Sequence, residues 1–456
     1  MTVKTAIILA AGEGTKIVPY QETRQKAALP VANVPAVRRL AADLQALGFS
    51  RFVVVVGHRK EQVRHALAGV EGVVFVEQPR LEGTAPAVLL ALHYVEDEPY
   101  LVVYGDIVLA RENLQQLIER FGSTGAEAAA LVQPLERERS LDWICARVSE
   151  DRLQRVMGHP RRGEHRLCGV YAFRSSATDY LARNPGVIRD VNVGGMPPME
   201  ADVAASLDVM LDEGREVLAV PTVDFFVDMD KPWHILHANR RASEYMFRHI
   251  ETDSIHPTAR VSEKANIQGR IILGEGSEIG DRVEILGPVI VGKNSRIIRG
   301  AMVEHAVVIG DRCVLRDYCL VGGAVIGAHS AVGHAAEFSG VMFDRVILAH
   351  YCEISAVIGS ATDIGAATVC GTIRFDDDAP TIDVKGREER PRLGCSFIGD
   401  YCRTGVGSML MPGSRIGPYS CVGPGVVVYN DVPPRTMVLA KQETITKPWG
   451  PEKYGW

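Results

Sequence analysis

An aliphatic residue recurs at every sixth position through most of the second half of this 456-residue chain, and this period restricts the fold more than any other feature. A glycine commonly follows the aliphatic position, as at Gly280 and Gly417. Each hexad is typical of one side of a triangular coil, and such coils bury their apolar edges only by stacking on one another. The spacing therefore predicts an all-β, left-handed parallel β-helix over residues 255–436. The aliphatic positions are Ile255, Val261, Ile267, Leu273, Ile279, Ile285, Val291, Ile297, Ile309, Leu315, Val321, Ile326, Val332, Phe338, Ile358, Ile364, Ile398, Leu410, Ile416, Val422 and Val428, with Thr404 in one place.

The cysteines follow the same repeat, since seven of the nine lie after residue 250. Cys313, Cys319 and Cys402 each stand four residues after an aliphatic hexad position, where the coil requires a small side chain. We therefore expect packing, rather than metal binding, to explain them. Their odd number and the lack of a secretory signal favour reduced thiols over disulfides.

The first half alternates short apolar runs with segments of helical periodicity. Residues 5–10 and 52–56 have the pattern of buried strands, and Val37, Leu40 and Leu44 fall at helical spacing before a glycine. This βαβα order predicts an α/β domain with a Rossmann-like, mostly parallel sheet and helices on both faces. Ligands of such sheets bind at the carboxyl ends of the strands, and the polar motifs of this half collect there.

Composition excludes several classes of protein. Apolar residues make up 46% of the chain and charged residues 23%, which is typical of a globular protein rather than a disordered one. No run approaches the roughly 18 apolar residues of a membrane-spanning helix. A net charge of −6 indicates no nucleic-acid partner. The first eleven residues lack a signal-peptide pattern, so we expect a cytoplasmic protein.

Four polar motifs stand where the predicted strands end, and each alone has an ordinary structural explanation. Residues 9–16 (LAAGEGTK) are typical of a phosphate-binding loop, but also of a tight strand-to-helix turn. Lys26 precedes an apolar segment and is either a phosphate contact or a solvated charge. Gln78 either reads a base edge or lies on the surface. Asp106 and Asp228 either bind Mg²⁺ or cap helices.

The order and spacing of these motifs over residues 3–243 resemble the nucleoside-diphosphate-sugar pyrophosphorylases, a family of sugar-1-phosphate nucleotidyltransferases. The resemblance is carried by the loop at residues 9–15, Lys26 to Pro30, Gln78 with Gly83 and Thr84, Gly105 with Asp106, and residues 227–232 (VDMDKP). It implies in-line attack of a sugar 1-phosphate on the α-phosphate of a nucleoside triphosphate, with Mg²⁺ as cofactor and pyrophosphate as the leaving group.

The resemblance also assigns roles to individual residues. Lys16 and Lys26 correspond to catalytic positions, and Asp106 and Asp228 to metal ligands. Ala146 and Gly169 correspond to positions that bind the sugar phosphate. The positions that correspond to nucleotide binding are Leu9, Ala10, Ala11, Gly12, Glu13, Gly14, Thr15, Gln78, Gly83, Thr84 and Gly105.

The chain departs from the family pattern at several of these positions. Lys16 replaces a catalytic arginine, which keeps the charge but loses the bidentate geometry. Gln25 replaces a proline, His159 stands in the place of a lysine in an E-K-P element, and Leu167 replaces an asparagine. These changes leave open a second hypothesis, in which the chain is a regulatory or assembly subunit without catalysis.

A pyrophosphorylase-like half followed by a β-helix resembles the bifunctional N-acetylglucosamine-1-phosphate uridylyltransferases/glucosamine-1-phosphate acetyltransferases. That family implies a homotrimer and, where the second activity is kept, acetyl-coenzyme A. His350 is the best positional match for the acetyltransferase base, but Thr372 replaces an asparagine of that site. We therefore favour a β-helix that keeps its fold without acyl transfer, and retain acyl transfer as an alternative.

These patterns divide the chain into four parts. We predict a nucleotidyltransferase domain over residues 1–243 and a linker over 244–254. The β-helix follows over 255–436, with an insertion loop at 372–393, and residues 437–456 form a C-terminal tail.

Overall fold

The computed structural model describes residues 3–96, 99–136, 138–188 and 199–454. Its N-terminal half contains thirteen strands and seven α-helices within the described residues. None of the described helices has the length and apolar character that a bilayer crossing requires. The strands are β1 (Thr5–Ala10), β2 (Pro30–Val31), β3 (Val34–Pro35), β4 (Arg51–Val56), β5 (Val73–Glu77), β6 (Tyr100–Tyr104), β7 (Ile107–Leu109), β8 (Ala128–Pro134), β9 (Ile144–Ser149), β10 (Arg152–Gly158), β11 (His165–Phe173), β12 (Val217–Pro221) and β13 (Phe226–Asp228). The helices are α1 (Ala36–Ala46), α2 (Lys60–Ala66), α3 (Thr84–Leu92), α4 (Arg111–Ser123), α5 (Thr178–Ala182), α6 (Val203–Asp212) and α7 (Pro232–Arg248).

Nine of these strands form one sheet, in the order β5-β4-β1-β6-β11-β8-β12-β10-β9. Strands β5, β4, β1 and β6 are parallel, as the alternating pattern predicts. Strand β11 runs antiparallel between β6 and β8, so the sheet as a whole is mixed. Apolar side chains on both sheet faces are buried against helices, which explains why β1 and β4 read as continuous apolar runs.

The second half is a parallel β-helix, as the hexad period predicts. The predicted aliphatic positions from Leu273 to Val428 point inward and form one continuous core together with the buried Cys313, Cys319 and Cys402. Ile255 and Val261, in the first coil, are exposed. One face consists of the strands Arg260–Val261, Glu278–Ile279, Arg296–Ile297, Val314–Leu315, Ala331–Val332, Ile347–Leu348, Asp363–Ile364, Arg403–Thr404, Cys421–Val422 and Met437–Val438. The other faces consist of Ser254–Ile255, Asn266–Ile267, Ile271–Leu273, Glu284–Ile285, Val289–Val291, Met302–Glu304, Val307–Ile309, Leu320–Ile326, Glu337–Met342, Glu353–Ile358, Val369–Cys370, Ser396–Ile398, Met409–Leu410, Arg415–Ile416 and Val427–Val428.

Two element ends differ from the predicted limits. Helix α7 continues to Arg248, so the first five residues of the predicted linker are helical. Strand Met437–Val438 pairs with Cys421–Val422, which places it in the β-helix rather than in the tail. In both cases the extra residues are held by packing on a neighbour, which the local pattern does not show.

The insertion contains a two-stranded antiparallel hairpin, Ile382–Val384 and Arg387–Glu389, which we call the insertion hairpin. It packs in a mixed apolar cluster with residues from both halves, including Trp233 of α7 and Val341 of the β-helix. Helix α7 lies against outward-facing valines of the β-helix in the same cluster. The two halves therefore share a buried interface.

Candidate active site

A cleft of about 570 Å³ opens at the carboxyl ends of β1 and β6, where the sequence predicts a ligand site. We call it the N-terminal cleft. Some of its lining residues belong to the predicted motifs, and others come from segments that no motif singled out. Its lining includes Leu9, Ala11, Gly12, Glu13, Gly14, Thr15, Lys16, Lys26, Gln78, Gly83, Thr84, Tyr104, Asp106, Asp142, Trp143, His159, Leu167, Gly169, Tyr171, Glu200, Asp202, Asp228, Asp230 and Lys385. Ala10 lines a smaller adjoining cavity of about 230 Å³.

Lys26 lies at the centre of a group of carboxylates. Its Nζ is 2.7 Å from Asp106 Oδ2, 3.6 Å from Asp228 Oδ1 and 3.9 Å from Asp230 Oδ1. Asp106 follows strand β6 and Asp228 ends strand β13, so two separate strands deliver the predicted pair to one point. Lys16, the second predicted catalytic residue, pairs with Asp230 at 3.1 Å.

Burial and mutual repulsion set the charge states of this group. Burial raises the pKa of Asp228 to about 6, with a further contribution from Asp106, although Lys26 opposes it. Burial alone would lower the pKa of Lys26, but the three carboxylates outweigh it and raise that pKa. Burial likewise acts to raise the pKa of Asp230, but Lys26 and Lys16 together lower it. Lys26 is therefore a permanent cation among acceptors.

A glycine and Gln25 determine the conformation of the loop after β1. Gly14 has φ +65°, and a Cβ there would lie 3.3 Å from Lys26 Cβ, so the turn requires glycine. A Cβ at Gly12 would meet no described atom within 4 Å, so this position faces open space. The buried Gln25 donates to Ala10 O at 2.8 Å and accepts from Ala27 N at 2.5 Å. It thereby fixes the loop relative to Lys26.

The opposite wall contains Gln78, Thr84 and Asp202. Gln78 Nε2 donates to Gly83 O at 3.1 Å, and Gln78 lines the cleft. Thr84 Oγ1 donates to Asp202 Oδ2 at 3.2 Å and accepts from Val203 N at 2.8 Å. Asp202 caps helix α6 through Ala204 N, and burial raises its pKa. Thr84 thus supports the wall of the cleft through its hydroxyl group.

Besides Ala10, three assigned residues do not line the N-terminal cleft. Ala146 is fully buried in the sheet core, where strand β9 turns its side chain toward apolar neighbours. Gly105 lies beneath the cleft, where a Cβ would approach Leu9 O to 3.1 Å, so it serves close packing. His350 is exposed at a corner of the β-helix, its ring 6.2 Å from that of Tyr351.

The structure adds residues to the cleft that the sequence patterns did not single out. Asp230 was visible in the VDMDKP motif, but only the fold shows it beside Lys16 and Lys26. The sequence pattern shows Gln25 only as the replacement of a proline, and no motif includes Asp202. Lys385 comes from the insertion hairpin, more than 350 residues along the chain from Lys26. No local signal predicts such a long-range contact.

A buried ion-pair cluster joins the insertion hairpin to the cleft wall. Lys231 Nζ lies 3.2 Å from Glu389 Oε1 of the hairpin and 3.3 Å from Asp142 Oδ2 of the cleft. Arg139 Nη2 also lies 3.5 Å from Glu389 Oε1. Because buried charges of this kind need their partners, the cluster fixes the hairpin against the N-terminal half.

Comparison with known proteins agrees with this two-part architecture. Residues 6–182 match the family of MobA-like NTP transferase domains, and residues 396–430 match bacterial transferase hexapeptide repeats. The bifunctional protein GlmU of Methanococcus vannielii is 26% identical over 452 residues, covering 97% of this chain and 99% of the relative. The bifunctional sugar-1-phosphate nucleotidylyltransferase/acetyltransferase of Sulfurisphaera tokodaii is 26% identical over 435 residues, covering 94% and 98%.

Among solved structures, a UDP-glucose pyrophosphorylase from Acinetobacter baumanii superposes with a TM-score of 0.46 at 17% identity, over 55% of this chain and 95% of that chain. The sequence matches, rather than this superposition, carry the assignment. The predicted combination of two domains is confirmed by these matches: residues 6–182 are similar to MobA-like NTP transferase domains, and residues 396–430 are similar to bacterial transferase hexapeptide repeats.

Proposed function

We propose that this chain is a sugar-1-phosphate nucleotidyltransferase, which converts a nucleoside triphosphate and a sugar 1-phosphate into a nucleoside-diphosphate sugar and pyrophosphate. One observation carries the proposal: Lys26 lies among Asp106, Asp228 and Asp230, beside an open glycine loop in the N-terminal cleft. Phosphoryl-type transfer asks mainly for positioning and charge neutralisation, which this arrangement supplies. The names of the two archaeal relatives support the same reaction.

The donor set fits Mg²⁺. Asp106 and Asp228 offer the carboxylate oxygens that this ion prefers, and Mg²⁺ is commonly held by one or two carboxylates together with substrate phosphates. Among the described residues there is no group of three or more metal-ligating side chains placed to bind an ion unaided. Mg²⁺ bound by Asp106, Asp228 and the substrate phosphates would neutralise phosphate charge.

The residues of the chain bind and orient the two substrates. The backbone amides of residues 12–15 surround the triphosphate, where the open space at Gly12 admits a close approach. Lys26 donates to the α-phosphate as the sugar phosphate oxygen forms its new bond to phosphorus and the bond to the β-phosphate breaks. Lys16 contacts the departing pyrophosphate, and the Gln78 carboxamide faces the base. Gly169 lets the ring of Tyr104 pack closely against the backbone, and it lines the part of the cleft where we place the sugar.

Pyrophosphate release tests the proposal. The purified chain is incubated with Mg²⁺ and each nucleoside triphosphate against a panel of sugar 1-phosphates, and we expect turnover with at least one pair. Lys26→Ala and Asp106→Asn serve as variants that retain the fold and lose the reaction. A folded wild-type protein that releases no pyrophosphate with any pair would favour the regulatory or assembly role instead.

Acetyl transfer is a second candidate activity. The two relatives are named as bifunctional proteins, and the sequence match covers nearly their whole length. Acetyl-coenzyme A would be its co-substrate and His350 its base. Consumption of acetyl-coenzyme A with amino-sugar phosphates tests it, and a rate unchanged by His350→Ala excludes that residue as the base.

The family resemblance also supports a homotrimer built through the β-helix. Light scattering measures the mass directly, and a monomer at micromolar concentration contradicts this assembly.

A further inference from the structure

The insertion hairpin places a lysine in the N-terminal cleft. Lys385 and Gly386 form the two-residue turn of the hairpin, with φ of +53° and +75°, and Lys385 lines the cleft. Two positive φ values are typical of the tight turns that connect adjacent antiparallel strands. Glycine or asparagine adopts this conformation more readily than lysine, so the backbone alone does not explain a lysine here.

The hairpin holds this lysine in a defined place. Ile382 and Val384 are buried in the cluster shared by the two halves. Arg415 Nη1 donates to Asp383 O at 2.6 Å, and Glu389 is paired with Lys231. Both strands of the hairpin are therefore anchored, and the tip is presented to the cleft by a rigid support.

Electrostatics shows why a further cation matters at this place. The described lining of the cleft includes seven carboxylates, those of Glu13, Asp106, Asp142, Glu200, Asp202, Asp228 and Asp230, but only three lysines. Lys16 and Lys26 are both paired with carboxylates. Lys385 is the exception, since no carboxylate among the described residues lies within 4.0 Å of it. Within the described lining, Lys385 is therefore the one lysine whose ammonium group is not already paired with a carboxylate.

The hairpin meets the cleft on the side of Asp142 and His159, whereas Gln78 and Thr84 lie on the wall of Asp202. Burial lowers the pKa of His159. The positive charges of Lys16, in the loop after β1, and of Arg387, in the insertion hairpin, lower this pKa further, so His159 is neutral at neutral pH. The histidine on this wall therefore offers no positive charge to a phosphate group.

We infer that Lys385 binds the phosphate group of the sugar 1-phosphate, so that the β-helix domain contributes a substrate-binding residue to the nucleotidyl-transfer site. This inference rests on the proposed function. The ammonium group of Lys385 donates hydrogen bonds to phosphate oxygens on the side of the cleft away from the base. The insertion hairpin is then part of the catalytic domain's substrate site.

Calorimetric binding of glucose 1-phosphate and N-acetylglucosamine 1-phosphate, with Mg²⁺ and a non-hydrolysable nucleotide analogue, tests this role without turnover. We expect Lys385→Gln to raise the dissociation constant of the sugar phosphate about 10-fold or more, because a charge-assisted hydrogen bond is lost. Lys385→Arg keeps the charge and should stay within about threefold of the wild type. Arg390→Ala is the matched control, since Arg390 is an exposed cation of the same insertion that pairs with Asp378.

The outcomes separate this inference from the proposed reaction. Wild-type turnover with unchanged sugar-phosphate affinity in Lys385→Gln overturns the inference and leaves the reaction standing. If Lys385→Gln weakens only the binding of the nucleotide, that result also overturns the inference and leaves the reaction standing. A wild-type chain that binds neither sugar phosphate also overturns it. Binding that depends on Lys385 without release of pyrophosphate supports the inference and contradicts the reaction.

Discussion

Replacing Asp400 with alanine removes an ion pair between the two halves of the molecule. Asp400 lies in the β-helix and is 2% exposed, whereas Arg24 belongs to the segment just before Lys26 and its side chain is 22% exposed. Arg24 Nη2 lies 2.7 Å from Asp400 Oδ1, and Arg24 Nε lies 2.9 Å from Asp400 Oδ2. Asp400 also accepts from Ser360 N at 2.5 Å and from the hydroxyl of Thr23.

The structure sets the size of the expected effect. Removing one partner of a buried ion pair costs about 3–5 kcal/mol, because the other charge is left without compensation. Arg24 keeps some contact with water, so we expect the lower end, about 3 kcal/mol of unfolding free energy. The segment that carries Lys26 loses its anchor at the same time, so the rate of pyrophosphate release should also fall.

Urea denaturation of the wild type, Arg24→Ala, Asp400→Ala and the double variant measures this interaction as a cycle. We expect the double variant to be hardly less stable than Asp400→Ala, because both single changes remove the same pair. Single-variant losses below about 1 kcal/mol, the range of exposed pairs, would refute the reasoning, as would losses that simply add.

Three further predictions concern the N-terminal cleft. Lys26→Ala should lower the rate of pyrophosphate release by about 100-fold or more with an unchanged circular dichroism spectrum, because a donor to the reacting phosphate is lost; a near-normal rate would contradict its role. Gly12→Ala should leave thermal stability unchanged and weaken triphosphate binding in calorimetry, whereas Gly14→Ala should itself cost about 1 kcal/mol of stability because of its positive φ; equal stability losses would count against this difference. The rate should fall as the pH drops through about 6, since Asp228 must be ionised and burial raises its pKa, and a pH–rate profile of the wild type against Asp228→Asn would show whether that inflection belongs to Asp228.

Local patterns predicted most of the fold because each reports a physical requirement of one element. The hexad aliphatic residues had to point into the coil, and the apolar runs of β1 and β4 had to be covered on both faces. Strand β11 lies antiparallel between β6 and β8, and local patterns do not predict this arrangement. The direction of a strand in the sheet depends on the path of the connecting segments. Helix α7 extends into the predicted linker because it packs on the β-helix, and its own sequence does not show that contact.

The candidate site likewise contains residues that local patterns predict and residues that only the fold brings together. Lys26, Asp106 and Asp228 could be predicted because the strand ends carry them in a recognisable order. Asp230 and Lys385 could not, since their roles depend on which side chains the fold brings within reach. Ala146 was assigned by analogy in a strand whose orientation only the structure reveals.

The central claim is that nucleotidyl transfer takes place in the N-terminal cleft, and detection of the product nucleoside-diphosphate sugar by mass spectrometry tests it most directly. The wild type and Asp106→Asn are compared over all nucleoside triphosphates and a panel of sugar 1-phosphates with Mg²⁺. We predict that the wild type forms a nucleoside-diphosphate sugar with at least one pair and that Asp106→Asn forms it about 100-fold more slowly or not at all. Absence of this product from every wild-type reaction, or its undiminished formation by Asp106→Asn, would contradict the claim.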